Sequence, residues 1–213
     1  MQPLYWHPPT DTPDEVPYEM NAPTHRSRLA LERVLTDPDD GSAWEFLAET
    51  YDEMAEEWPE WARSQHWYNS SVRAGLGHAK PATWAFEVGC GTGQATAPLA
   101  AFAPRVIASD VNLSMIDLAP RQPEVQYLAC DVRRLPLRSG SVPLLVGLNA
   151  VPHVREFERV IAPSGQLLWC TSFAAGTPLY VDPERLRQLF GPGWHGEAGR
   201  AGHGDWMLLS RNG

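Results

Sequence analysis

Five short apolar runs occupy the middle of the chain: TWAFEVG, RVIASD, VQYLACD, VPLLVGLN and GQLLWCTSF. Each closes on or beside a Gly, Asp, Asn or Ser, and stretches of about helical length separate most of them. A strand covered on one face alternates apolar and polar residues, whereas a strand covered on both faces is apolar throughout. Such runs alternating with helices predict an α/β fold, a doubly wound and mainly parallel sheet. After the fifth run, DPERLRQLF reads as a helix with Asp182 as N-cap and Pro183 in its first position. The last residues, GWHGEAGRAGHGDWMLLSRNG, read as two strands around a Gly-rich turn. The expected sheet is therefore seven-stranded, with this C-terminal antiparallel hairpin at its edge.

The first third has a different period. Residues 1–23 are rich in Pro, Asp and Thr and read as an extended tail. THRSRLALERVL predicts a short helix with Thr24 at its N-cap. SAWE, with Ser42 and Glu45, has the spacing of a capping box that opens a second helix. Along that helix Trp44, Leu47, Tyr51, Met54 and Trp58 recur at helical spacing. A third helix is expected over residues 60–76, stopping at GLG. The chain thus divides into a tail (1–23), an N-terminal helical cap or lid (24–78) and a sheet domain (79–213), with no internal repeat.

Bulk properties narrow the function. The formal charge is −9, from 17 Lys and Arg against 26 Asp and Glu. Nucleic-acid binding depends on basic side chains neutralising phosphates, so neither a nucleic acid nor an anionic membrane is an expected partner. The three cysteines, Cys90, Cys130 and Cys170, have no metal-ligand spacing and lie in or at the ends of apolar runs, as small hydrophobes do. No metal is expected. The opening residues lack the basic start and apolar core of a signal peptide, and no run approaches membrane length, so the expected compartment is the cytoplasm.

The turn after the first run, FEVGCGTGQAT, separates possible ligands. A dinucleotide fingerprint has glycines first and third and Gly or Ala sixth, where helix and strand must pack closely. Here Gly89 and Gly91 fit, the sixth position is Gln94, and the next glycine comes early at Gly93. A phosphate-binding P-loop is excluded, because no Gly-Lys-Ser/Thr follows. Asp110 ends the second run and Asp131 ends the third, next to Cys130. In an open α/β sheet these positions, with Glu87 and Gly89, line one crevice at the strands' carboxyl ends. Two carboxylates for hydroxyls and amino groups, and no cation for phosphate, describe a nucleoside site.

The ordered set FEVGCGTG, ASDVNLSMID, ACDVRRLPLRSGSVPLLVGLNAVPHV and FERVIAPSGQLLW resembles the class I (Rossmann-like) S-adenosylmethionine-dependent methyltransferases, over roughly residues 48–175. The resemblance implies a transferase that uses S-adenosyl-L-methionine. It places Glu87 and the turn Gly89, Cys90, Gly91 and Gly93 along the cofactor's methionine part. Asp110 would accept the ribose hydroxyls, with Val111 beside it and Met115 against the adenine. Asp131 and the Val132 amide would read the adenine edge, and Asn149 would face the sulfonium. Tyr51, in AETYD, would close over the methionine end, although its stripe with Leu47 and Met54 equally suits a core position. His153 stands where the family often has histidine, and is a candidate general base or a structural residue. The family's acid at the start of the fourth strand is replaced by Pro143, and the segment after His153 is short, which predicts a trimmed helix there.

The expected acceptor is a small molecule, aromatic or apolar in view of the nine tryptophans. Two alternatives stay open: a non-catalytic S-adenosylmethionine-binding regulator, and a protein methyltransferase.

Overall fold

The computed structural model describes residues 3–11, 26–56, 60, 62 and 65–211. Its elements in chain order begin with β1 (Tyr5–Trp6), α1 (Arg26–Thr36), α2 (Gly41–Glu53) and α3 (Ser70–His78). There follow β2 (Ala85–Val88), α4 (Thr96–Phe102), β3 (Val106–Asp110), α5 (Leu113–Leu118), β4 (Val125–Ala129) and β5 (Val142–Leu148). The chain then forms α6 (Val154–Val160), β6 (Ile161–Cys170), α7 (Pro183–Leu189), β7 (Trp194–Ala201) and β8 (Gly204–Arg211). Thr24, Trp58 and Trp61, and several residues of the helix expected over 60–76, lie outside the described residues.

All five apolar runs form strands, and their alternation explains why helices cover both faces. Phe86, Val88, Leu145, Leu167, Trp169, Met207 and Leu209 join one core cluster with α1, α2, α6 and α7. Their strand neighbours Ala85, Leu144, Val146, Leu168, Cys170, Trp206 and Leu208 join a second cluster with α3 and α4. Successive side chains on a strand point to opposite faces, so each run supplies both cores.

The sheet order is β1-β7-β8-β6-β5-β2-β3-β4. β2 pairs in parallel with β3 on one side and β5 on the other, so the order reverses direction at β2. That reversal opens a crevice outside the carboxyl ends of the strands, where α/β sheets bind ligands. The C-terminal hairpin is antiparallel as expected, with β8 against β6. It is not the edge, and the sheet has eight strands instead of seven. β1 pairs in parallel with β7, and Leu4 beside it is buried. Part of the segment read as a tail is therefore a strand.

Other boundaries shift for local reasons. Asp40, not Ser42, caps α2: its carboxylate accepts the Ala43 N–H at 3.1 Å, and the Ser42 hydroxyl donates to that same carboxylate. α3 runs through its glycines to His78 and packs on the sheet face instead of belonging to a lid. Asp182 and Pro183 open α7 as expected. Pro143 has no N–H for the ladder, and the β5–β6 register shifts between Val142 and Leu144. α6 is short, at seven residues, and leads straight into β6. Among the described residues no helix is long and apolar enough to cross a membrane.

Candidate active site

The crevice is a cavity of about 350 Å³ beneath α2. Its floor is the set of strand ends that the parallel registers bring level. The β2 turn contributes Glu87, Gly89, Cys90 and Gly91; β3 and α5 contribute Asp110, Val111 and Met115. Cys130, Asp131 and Val132 follow β4, and Asn149 follows β5. Of the cofactor residues expected from sequence, Tyr51 also lines it, and Gly93 does not.

The glycine turn owes its shape to backbone angles that L-residues avoid. Gly89, Gly91 and Gly93 have φ of 60°, 50° and 85°. A Cβ at Gly89 would sit 2.8 Å from that of Ala150, so this glycine permits close packing between strand ends. A Cβ at Gly91 would meet nothing within 4 Å, which leaves the backbone open to a ligand. Gly93 donates to the Cys90 carbonyl at 2.9 Å and closes the turn without reaching the cavity.

Asp110 is fixed by backbone donors, accepting Gly91 N–H at 2.8 Å on Oδ2 and Asn112 N–H at 3.0 Å on Oδ1. A carboxylate oxygen has two lone pairs, so each retains capacity for a hydroxyl donor. Burial raises the Asp110 pKa against these hydrogen bonds. Glu87 is almost fully enclosed, and desolvation pushes its carboxyl up to about 8 even though Thr96 donates to it at 2.6 Å. A cation arriving beside it would favour the ionised form.

Asp131 is engaged more heavily than the sequence suggested. The Arg133 Nε donates to both carboxylate oxygens, at 3.0 and 2.8 Å, and the Arg133 N–H donates to Oδ1 at 2.8 Å. Burial opposes ionisation of Asp131, but the Arg133 hydrogen bonds and charge outweigh it and hold the pKa below the ordinary value. Arg133 also lies over the Trp44 ring, 5.5 Å from its centroid. It is the only Lys or Arg among the described residues lining the cavity, and Asp131 already occupies it.

Asn149 sits at φ 51° and is held on both ends of its amide. Its Nδ2 donates to the Tyr68 hydroxyl and to Ser172 Oγ, both at 2.8 Å, and its Oδ1 accepts Ser172 N–H at 2.9 Å. The remaining wall consists of Trp44, Leu47 and Tyr51 from α2, Trp67 and Tyr68 before α3, and Phe173 with Thr177–Leu179 after β6. Tyr68, Arg133 and the 172–179 wall were not anticipated. Tyr68 follows Trp67 just before α3, and nothing in its spacing distinguishes it.

His153 stands outside the cavity lining. It is the N-cap residue of α6, its carbonyl accepts the Glu156 and Phe157 N–H groups, and it does not line the cavity. The imidazole packs beside Trp44, with ring centroids 6.2 Å apart. Burial lowers its pKa, and its Nδ1 has no hydrogen-bond partner among the described residues. The position after the fourth strand is near the site in sequence, but the turn into α6 seats this side chain in the packing layer. A general-base role does not follow from this geometry.

Residues 86–169 match the methyltransferase domain family. That segment, from β2 into β6, is similar to methyltransferase domains. A Mycobacterium tuberculosis protein bearing the name probable S-adenosylmethionine-dependent methyltransferase is 30% identical over 115 residues, covering 48% of this chain and 42% of that relative. The chain thus spans less than half the length of the curated relatives it matches. Among solved structures, the DhpI–SAH complex superposes with a TM-score of 0.61 at 18% identity, covering 78% of this chain and 95% of that one. A SAM-dependent methyltransferase from Thermotoga maritima gives 0.60 at 14% identity, covering 76% and 98%. These two likenesses establish the fold.

The curated relatives are named as S-adenosylmethionine-dependent, and the cavity of this chain has residues that fit that cofactor. Asp110 offers paired acceptors to vicinal hydroxyls, Gly91 leaves room along the backbone, and among the described residues no unpaired Lys or Arg lines the cavity to meet a phosphate.

Proposed function

We propose that the chain is an S-adenosylmethionine-dependent methyltransferase acting on a small, aromatic or apolar acceptor by in-line transfer. The observation that carries this reading is the Asp110 carboxylate, fixed by the Gly91 and Asn112 amides at the floor of a cavity walled by aromatic side chains. When bound, the cofactor supplies an electrophilic methyl group on a sulfonium. Asp110 would hold the ribose, Val111 and Met115 the adenine, and Glu87 the positively charged methionine end. Asp131 and the Val132 amide would meet the adenine edge, with Asp131 keeping part of its Arg133 pairing.

The acceptor's character follows from the opposite wall. Trp44, Trp67, Tyr68, Phe173 and Leu179 offer flat apolar surface, and Arg133 is already paired, which disfavours an anionic acceptor. No imidazole lines the cavity among the described residues. The chain's own contribution is then to orient the acceptor and to exclude water, and it suits a nucleophile that needs no strong base. The acidic net charge supports a small molecule over nucleic acid.

Calorimetry tests the site. S-adenosylhomocysteine is expected to bind and NAD not to, and comparable NAD affinity would overturn the nucleoside reading. Asp110→Ala removes charge-assisted hydrogen bonds of about 1.5–3 kcal/mol each, so affinity should fall by about tenfold or more in a folded variant. Turnover with a panel of aromatic and apolar acceptors then separates transfer from binding alone. Tight binding without turnover across the panel would favour the regulator.

A further inference from the structure

Away from the cavity, three side chains from separate elements converge on the hairpin side of the sheet. His7 follows β1, His78 is the last residue of α3, and Glu197 lies on β7. His7 Nε2 is 2.6 Å from Glu197 Oε2, and His78 Nδ1 is 3.7 Å from the same oxygen. One ligand atom from each residue lies within 4.8 Å of the others. We propose that His7, His78 and Glu197 form a zinc site that fastens the N-terminal strand to α3 and the hairpin.

The donor set selects the metal class. Two imidazoles and one carboxylate match zinc, whereas calcium and magnesium require oxygen ligands. Ligand bonds of about 2.0–2.2 Å in a tetrahedron separate the donor atoms by roughly 3.3–3.5 Å. The His7–Glu197 contact must open by less than about 1 Å and His78 must draw slightly inward, movements within the reach of side-chain rotation. The side chains are 26%, 35% and 31% exposed for His7, His78 and Glu197, so an ion has access and a water can complete the fourth position.

The surroundings already hold the rings in place. His78 stacks on Trp206 with centroids 4.6 Å apart and planes 29° apart, and His7 stacks on the same indole at 5.5 Å and 30°. Trp206 is 2% exposed, so the site has a rigid apolar floor. The backbone sets the reach of the other two ligands, because Tyr5 is in register with Glu197 and His7 N–H donates to the Ala198 carbonyl at 2.8 Å. Sequence spacing could not reveal the site, because its ligands come from far-separated segments that meet only through the parallel β1–β7 pairing.

The test uses untagged full-length protein stripped with a chelator. Zinc titration against a chromophoric competitor should give one equivalent per chain, and thermal melting should show a zinc-dependent rise in Tm. His78→Ala, at an exposed helix end, should retain the fold by circular dichroism while losing about tenfold or more in zinc affinity together with the Tm rise. His7→Ala provides a second variant, and cobalt(II) should give the visible absorption of a tetrahedral site in wild type and not in either variant. Failure to bind one equivalent, or equal binding by both variants, would overturn the proposal and leave an ordinary His7–Glu197 hydrogen bond. S-adenosylhomocysteine affinity should be the same with and without zinc, so this result stands apart from that of the proposed transfer activity.

Discussion

Replacing Glu87 with glutamine isolates the electrostatic character of the cavity floor. The carboxyl is 1% exposed and titrates at about 8 because burial removes it from water. Its ordinary value is 4.5. Between these values the folded protein binds a proton that the unfolded chain has lost. Stability must then fall as pH rises, by about 1.4 kcal/mol per pH unit for this group alone. The contribution of the protonated acid is fully present below 4.5 and gone once pH exceeds about 8. Glutamine has nearly the same shape and never ionises, and its carbonyl oxygen can still accept the Thr96 hydroxyl. Glu87→Gln should therefore match wild type near pH 5 and exceed it by about 3–5 kcal/mol near pH 8.5. Urea unfolding of ligand-free protein at several pH values measures the difference, in which the other titrating groups largely cancel. A wild-type-to-variant gap that stays constant from pH 5.5 to 8.5 would show that Glu87 is ionised in the fold, and the argument from burial would fail.

Two further outcomes test the packing and the cap. Gly204→Ala would drive a Cβ into the Thr171 carbonyl oxygen, a backbone atom that cannot swing aside, and should destabilise by about 2 kcal/mol or more in urea unfolding; an unchanged midpoint would mean that β8 shifts freely against β6. Hydrogen exchange should show residues 41–53 gaining protection on S-adenosylhomocysteine binding, because α2 roofs the cavity and is tied to the floor by the Asn112 side-chain amide on the Ala48 carbonyl at 2.8 Å and by the Ser114–Asp52 hydrogen bond. Protection confined to 87–93 would make α2 a fixed roof.

The parts of this molecule that sequence revealed are those with a repeating physical signature. Phe86 and Val88 on one face and Ala85 on the other made a run apolar on both faces, interrupted only by Glu87, and Leu144–Val146 and Leu167–Cys170 are apolar at every position. Asp110 was legible because it ends the strand that follows the glycine turn, although a strand-end carboxylate also has the structural work of accepting the Gly91 and Asn112 N–H groups. β1 was not legible, since two residues between prolines carry no period, and its pairing depends on Leu4 finding a buried place beside the hairpin. Arg133 was missed for a related reason: its effect on Asp131 arises from a side chain folding back two residues, which no spacing rule distinguishes from an exposed arginine.

The placing of His153 outside the cavity lining and of Tyr68 within it have a common cause, because sequence proximity to a strand end does not determine where a side chain points. His153 begins α6, and its carbonyl takes up the helix's first donors, which seats the ring beside Trp44. Tyr68 precedes α3, which packs on the opposite face, yet its hydroxyl meets Asn149 from above the carboxyl ends. The residue that approaches the Asn149 end of the cavity thus comes from the N-terminal helical region, and the histidine adjacent in sequence does not. This exchange favours chemistry driven by positioning: a tyrosine hydroxyl that donates or accepts a hydrogen bond orients an acceptor without taking its proton at neutral pH. It also links the two halves of the chain, since α3 carries Tyr68 before its first turn and His78 at its last residue.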